Sequence, residues 1–290
     1  MLGIPLRYFL RHPTALADLA ASPAEVWTNI VDQYIDRREQ RRPQCRYQPD
    51  DNWEALLHHY LGVQWPCEFT AGFWDLWSTI TRELEAQGIE AGPKSFLSWN
   101  DGDAGFVRTI WCLTRHLRPE KVVETGVAHG VTSRCILEAL ERNASGHLWS
   151  IDLPPIERHW RRQVGMAVGG RYANRWSYIK GPSRLRLPGL LCQLGQIDLF
   201  IHDSLHSERN VRFELDRAWV ALRPGGALVI DDIDANRGFQ SFTQTFAARP
   251  CMICEAEPLR PDLRRFNQKG LFGIILKYPP LENLSARQSA

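Results

Sequence analysis

The chemistry-bearing residues of this chain gather at the ends of apolar runs. Residues 201–207 read Ile-His-Asp-Ser-Leu-His-Ser, directly after the apolar stretch 197–200. Residues 231–232 are paired aspartates that close a second apolar run, 226–230. A merely structural strand is expected to finish in Gly, Asn or Pro turn chemistry. These finish in carboxylates and imidazoles, groups that exchange protons and bind metals. Simpler roles exist for each. Asp231 and Asp232 could open a turn and cap the next helix. His206 could be a solvent-facing residue at a helix start. His202 precedes Asp203, so strand alternation turns it to the opposite face, where a structural role is expected.

The elements that must position these groups follow from periodicity. Short apolar runs at 121–126, 146–152, 176–181, 197–203, 226–232, 253–259 and 270–278 read as strands. Helical spacing at 103–117, 132–142 and 207–222 separates several of them. Strands alternating with helices imply a parallel sheet covered on both faces. The charges of 207–222 are expected to form a solvated helix face. Residues 1–90 read as helical, with segments at 22–40, 50–62 and 69–88. Ser22 is the expected N-cap of the first, followed by Pro23 and Glu25; Gly62 and Gly88 stop the next two. The polar, glycine-containing stretch 85–95 marks a boundary. The expected domains are therefore 1–92, a helical extension, and 93–290. Tryptophans in Phe-Trp-Asp-Leu-Trp (73–77) and at Trp111 follow helical spacing and belong to a core.

A second constellation follows the first strand. Glu124, Gly126 and Gly130 form E-x-G-x-x-x-G between a strand and a helix. Glycines there let backbone approach a ligand closely, and the helix start at Thr132 presents free N–H groups. The second strand ends at Asp152, 22 residues past Gly130; an acid in that place suits a ribose diol. Dinucleotides favour G-x-G-x-x-G, because a pyrophosphate rests on the helix N-terminus. That spacing is missing, and Glu124 stands where a pyrophosphate would be repelled. S-adenosylmethionine, with a ribose, an adenine and a cationic sulfonium–amine end, matches better.

With these motifs in place, residues 96–278 resemble a class I S-adenosylmethionine-dependent methyltransferase. The carriers are VVETGVAHGVT, LWSID, YIKGPS, IDLFIHDSLHS and LRPGGALVIDD. The pattern D-x-x-H followed by DD is similar to the metal-dependent sugar O-methyltransferases of macrolide pathways. The resemblance implies a Rossmann-like, doubly wound, mostly parallel seven-stranded α/β sheet with strand order reversing between the first and fourth strands. It implies that Glu124, Gly126, Gly130 and Thr132 shape the methionine side of the cofactor pocket, with Asp203 beside it. Asp152 takes the ribose hydroxyls, and Ser183 lies near the adenine. It further implies Mg²⁺ or Mn²⁺ on Asp203, Asp231 and Asp232, lowering the pKa of an acceptor hydroxyl, with His206 as general base. All-oxygen ligands favour those metals over zinc.

Composition narrows the alternatives. Apolar residues make up 44% and charged residues 23%, an ordinary globular balance. A net charge of +2 is too mild to argue for nucleic acid. The basic run at 36–42 alternates with acids and reads as a solvated helix end. No window approaches the about 20 apolar residues of a membrane span. The apolar N-terminus is broken by Arg7 and Arg11, so no signal-peptide core is expected and the cytoplasm is the default. Seven irregularly spaced cysteines suggest free thiols in a reducing compartment. The C-x-x-C at 251–254 lacks two further ligands at matching spacing, so no zinc is expected there. The expected partner is a small-molecule acceptor, a sugar or other natural product. The helices of 1–92 are expected to form a lid over it or a homo-oligomer interface. Three rivals stand beside this reading: a metal-independent methyltransferase, a non-catalytic cofactor-binding scaffold, and an NAD-dependent oxidoreductase.

Overall fold

Alternate residues of the central strands sort cleanly to two sides. Val122, Leu148, Leu199, Ile201, Val229 and Ile274 face one buried cluster, and Val123, Ile151, Phe200, Leu228, Ile230 and Ile275 face the other. That is the period-2 geometry of a sheet buried on both faces. The structure, a computed structural model, describes residues 23–39, 45–89, 103–155, 158–246, 250–257 and 270–278. Ser22, the expected boundary near 92, the end of the basic run and the tail from 279 lie outside the described residues.

The helices are α1 (Pro23–Glu39), α2 (Trp53–Leu61), α3 (Thr70–Ala86), α4 (Ala104–Leu117), α5 (Val131–Asn143), α6 (Arg158–Arg161), α7 (Ser183–Leu194), α8 (Glu208–Ala221) and α9 (Gly238–Phe246). The strands are β1 (Lys121–Thr125), β2 (His147–Asp152), β3 (Trp176–Lys180), β4 (Ile197–His202), β5 (Leu222–Ile230), β6 (Cys251–Glu255) and β7 (Leu271–Leu276). They form one seven-stranded sheet in the order β3-β2-β1-β4-β5-β7-β6. β1 to β5 pair in parallel, and β7 pairs antiparallel with both β5 and β6. Strand order reverses between β1 and β4, as expected, and opens a crevice at their carboxyl ends.

One core layer comes from α2, α3, α4 and α5, and the other from α7, α8 and α9. α2 and α3 are thus built into the α/β body. Trp53 packs edge-on against Phe272, ring centroids 5.4 Å apart. Glu54 accepts from Arg108 Nε at 2.6 Å, while the same guanidinium grips Glu257 with two bonds. Asp50 extends the edge of β6: its N–H donates to Ile253 O, and its carboxylate accepts from Ile253 N–H, both at 2.8 Å.

β5 starts and ends earlier than the sequence pattern suggests, because the Arg-Pro-Gly-Gly stretch already lies along β4 and β7. Gly225 N–H donates to Lys277 O at 2.6 Å. The last parallel pair is His202 with Ile230. Asp231 and Asp232 therefore lie just beyond the strand, in the turn.

Candidate active site

Three chain segments meet at the strand ends. Asp203 N–H donates to Thr125 O and Asp231 N–H to His202 O, each at 2.9 Å, which fixes the three crests in register. Gly126 follows β1 at φ +86°, and a Cβ there would stand 1.8 Å from the Asp203 carbonyl oxygen. The approach of the chain's own backbone thus by itself requires glycine here. Asp232 is held at φ 49°, unusual for a non-glycine residue and costing about 1–3 kcal/mol.

This register gathers the chemistry-bearing side chains. Ligand atoms of Asp203, His206 and Asp231 all lie within 4.8 Å of one another. His206 Nε2 is 3.9 Å from Asp203 Oδ1 and 4.0 Å from Asp232 Oδ2. The Asp203 side chain is 34% exposed and that of Asp232 22%, so the group opens to the crevice. Burial first, then repulsion from Asp231 and Glu124, raises the Asp203 carboxyl well above its usual range. Burial and Asp232 push Asp231 up to about 7, with His206 pulling the other way. Carboxylates that raise one another's pKa form a site that a cation would stabilise. The His206 carbonyl accepts from Asn236 Nδ2 at 2.7 Å. Its Nδ1 is buried without a hydrogen-bond partner among the described residues.

Beneath His206 lies a buried polar core. Glu214 is fully buried, and its Oε2 accepts from Thr125 Oγ1 at 2.6 Å and pairs with His202 Nδ1 at 2.6 Å. Its Oε1 accepts from Ser204 Oγ and Asn210 Nδ2, both at 2.8 Å. Burial works to raise Glu214, but His202 first, then Ser183 and Thr125, outweigh it and hold it at about 2. The His202 ring meets the His206 ring edge-on at 5.5 Å. The charges of α8 are therefore not all solvated, contrary to expectation. Val211, Glu214, Leu215 and Ala218 form one buried stripe at i, i+3, i+4 and i+7, so the helical period itself carries Glu214 inward.

The residues expected to hold the cofactor end β1 and β2 or begin the helices α5 and α7. Glu124 is fully buried on the α5 face, where its Oε2 accepts from Ser133 Oγ at 2.6 Å and Ser150 Oγ at 2.7 Å. Its Oε1 has no partner among the described residues. Burial raises Glu124 to about 7 against the pull of both serines. Asp152 ends β2, with Oδ1 accepting from Val127 N–H at 3.1 Å and Oδ2 from Tyr178 Oη at 3.2 Å. Burial raises its pKa as well. Gly130 caps α5 at φ +81°, and a Cβ there would meet Gly165 Cα at 2.9 Å. Thr132 is half-buried in the first turn of α5. Ser183 Oγ lies 3.4 Å from Asn210 Oδ1, which ties it to the Glu214 network.

The cysteines of the C-x-x-C motif fall on opposite faces of β6, Cys254 in one core layer and Cys251 against the other. They cannot share one metal ion.

Residues 123–233 match the profile of a family described as a methyltransferase domain. No curated protein matches the chain significantly. Among solved structures, a cofactor-bound protein from MTB is similar, with 17% identity, TM-score 0.49, and coverage of 80% of this chain and 100% of that one. The O-methyltransferase TomG from Streptomyces achromogenes, involved in tomaymycin synthesis and solved with SAM, shares 16% identity at TM-score 0.48, covering 70% of this chain and 90% of that one. The O-methyltransferase from Bacillus cereus in complex with SAH shares 14% identity at TM-score 0.45, covering 78% and 99%. The matched segment runs from within β1 to just past the paired aspartates and so contains the whole crevice. Fold and match agree: residues 123–233 match a methyltransferase domain, and the strand order of the sheet that holds them is the one expected for the class I, S-adenosylmethionine-dependent type. Among the described residues, no helix is long and apolar enough to cross a membrane.

Proposed function

We propose that the protein transfers a methyl group from S-adenosylmethionine to a hydroxyl of a small acceptor, a sugar or other natural product. The observation that carries this reading is the convergence of Asp203, His206 and Asp231 at the ends of adjacent strands, next to the glycine turn after β1. The cofactor supplies an electrophilic methyl on a cationic sulfonium. Glu124, Gly126, Gly130, Thr132, Asp152, Ser183 and Asp203 are the residues for its pocket, with Asp152 toward the ribose and the buried acids favouring the cationic end.

The carboxylates fit a divalent cation, because Asp231 raises Asp203, Asp232 raises Asp231, and among the described residues His206 is the basic side chain that faces them. Asp203, Asp231 and Asp232 would hold Mg²⁺ or Mn²⁺, which supplies Lewis acidity toward an acceptor hydroxyl. His206 takes the hydroxyl proton at Nε2. The edge of His202, itself fixed by Glu214, orients the His206 ring. Alignment of oxygen, methyl and sulfur is the main contribution of the rigid strand ends.

A second reading has its own observation. His206 Nε2 lies about equally far from carboxylates of Asp203 and Asp232. An imidazolium there would neutralise the acids without metal. Calorimetry with S-adenosylhomocysteine, followed by methyl transfer to a panel of sugar acceptors with and without chelator, separates the two. Failure to bind S-adenosylhomocysteine would overturn both. Activity untouched by exhaustive chelation would leave the metal-independent one.

We read residues 1–92 as a helical extension of the domain 93–290. The contacts of α2 and α3 support a buttressing role for that part. α1, with Trp27 and Tyr34 exposed, is then the element for an acceptor lid or a contact with a second copy.

A further inference from the structure

A second group of metal-ligating side chains lies away from the crevice. Cys112 and His116 sit four residues apart near the C-terminal end of α4, so they share one helix face. α4 reaches β1 after only three intervening residues, which puts this end near the start of the strands, opposite the carboxylate rim. His58 comes from α2, and Cys67 from the connection between α2 and α3. Cys67 Sγ is 3.3 Å from Cys112 Sγ and 3.4 Å from His116 Nε2. Ligand atoms of His58, Cys67 and Cys112 all fall within 4.8 Å of one another. His58, Cys67 and Cys112 are buried.

His58 adds an independent pointer. Its Nδ1 is 2.7 Å from the Glu54 carbonyl oxygen, which can only accept. In the neutral ring the proton therefore sits on Nδ1, and Nε2 presents its lone pair. That Nε2 is buried, in a residue only 1% exposed, and has no hydrogen-bond partner among the described residues. A metal-bound histidine is held in this way, its far nitrogen fixed by a carbonyl.

We propose that His58, Cys67, Cys112 and His116 form a structural zinc site that pins α2 and the α2–α3 connection onto α4. With Zn–S near 2.3 Å and Zn–N near 2.0–2.1 Å, tetrahedral coordination places two sulfurs about 3.8 Å apart and a sulfur and a nitrogen about 3.6 Å apart. The observed 3.3 and 3.4 Å separations reach these values with shifts of about half an ångström or less. Two thiolates and two neutral imidazoles balance the charge of Zn²⁺, so the buried site needs no counter-ion. Two buried sulfurs in contact, with the imidazoles of His58 and His116 beside them, offer the ligand set that a soft divalent cation takes up. The ligands are scattered over three elements, which is why no spacing motif reveals them. This site is independent of the methyl-transfer reading.

The test is metal content of the full-length chain purified under reducing conditions from zinc-supplemented cells. About one zinc per chain should survive dialysis. Cys67→Ser and Cys112→Ser should each lose it, whereas Asp203→Asn should keep it, which separates this site from the crevice. Cobalt exchanged into the wild-type chain should show the sulfur-to-metal charge-transfer band and intense visible bands of a tetrahedral thiolate site. The wild-type measurements decide even where a cysteine variant fails to fold. A wild-type chain that stays zinc-free after reconstitution, with Cys67 and Cys112 found as free thiols or as a disulfide, overturns the proposal. So does zinc that persists in both cysteine variants.

Discussion

Glu124 makes the crevice sensitive to pH in a way that can be worked out. The carboxyl is fully buried, takes two serine hydroxyls on one oxygen and leaves the other without a partner. Burial lifts it from an ordinary 4.5 to about 7. Between those values the folded protein keeps a proton that the unfolded chain has lost. Stability therefore falls as pH rises through this window, and the loss is complete above about 7. A shift of about 2.5 pKa units at 1.36 kcal/mol each corresponds to about 3 kcal/mol. Glu124→Gln keeps an oxygen for both serines and cannot ionise. Its stability relative to wild type should be near zero around pH 4.5 and climb to about 3 kcal/mol above pH 7. Urea unfolding of both chains at several pH values from about 5 to 8.5 measures the difference directly. A difference that stays flat across this range, or that favours wild type increasingly as pH rises, would refute the assignment. It would mean that Glu124 is ionised in the fold and has a cationic partner.

Other outcomes follow from the same geometry. Gly126→Ala drives a Cβ to within 1.8 Å of the Asp203 carbonyl and should destabilise the fold by at least about 3 kcal/mol in denaturant titrations. Glu214→Ala leaves His202 and three donors without their acceptor and should cost about 3–5 kcal/mol, read as a lowered urea midpoint. Asp231→Asn removes one of the mutually repelling acids. The apo protein should then melt higher at pH 8 and lose any Mg²⁺-induced rise in melting temperature, measured by scanning calorimetry. His206→Ala should lower kcat by about 10²- to 10⁴-fold while S-adenosylhomocysteine affinity, measured by calorimetry, stays within a factor of about three.

The sequence alone determined the architecture, because its signals are local. Strand period 2, helix period 3.6 and the glycines between them follow from backbone geometry within a few residues. Hence the seven strands and the flanking helices 103–117, 132–142 and 207–222 were legible, as was the reversal between β1 and β4 that the family resemblance implied. The acids at the strand ends were legible for the same reason: Asp152, Asp203, Asp231 and Asp232 each follow an apolar run. Tertiary structure decided what depends on contacts between distant segments. It turned Gly126 into a backbone contact with Asp203, and it carried Glu214 from an expected solvated face to the centre of a buried network. It also merged the expected N-terminal extension, over its described α2 and α3, with the core beneath the sheet. His58, Cys67, Cys112 and His116 come from different elements and acquire a common purpose only when those elements pack. Periodicity fixes which way a side chain points along its own element. Which group it meets there is set by the packing of the other elements, and no local pattern encodes that.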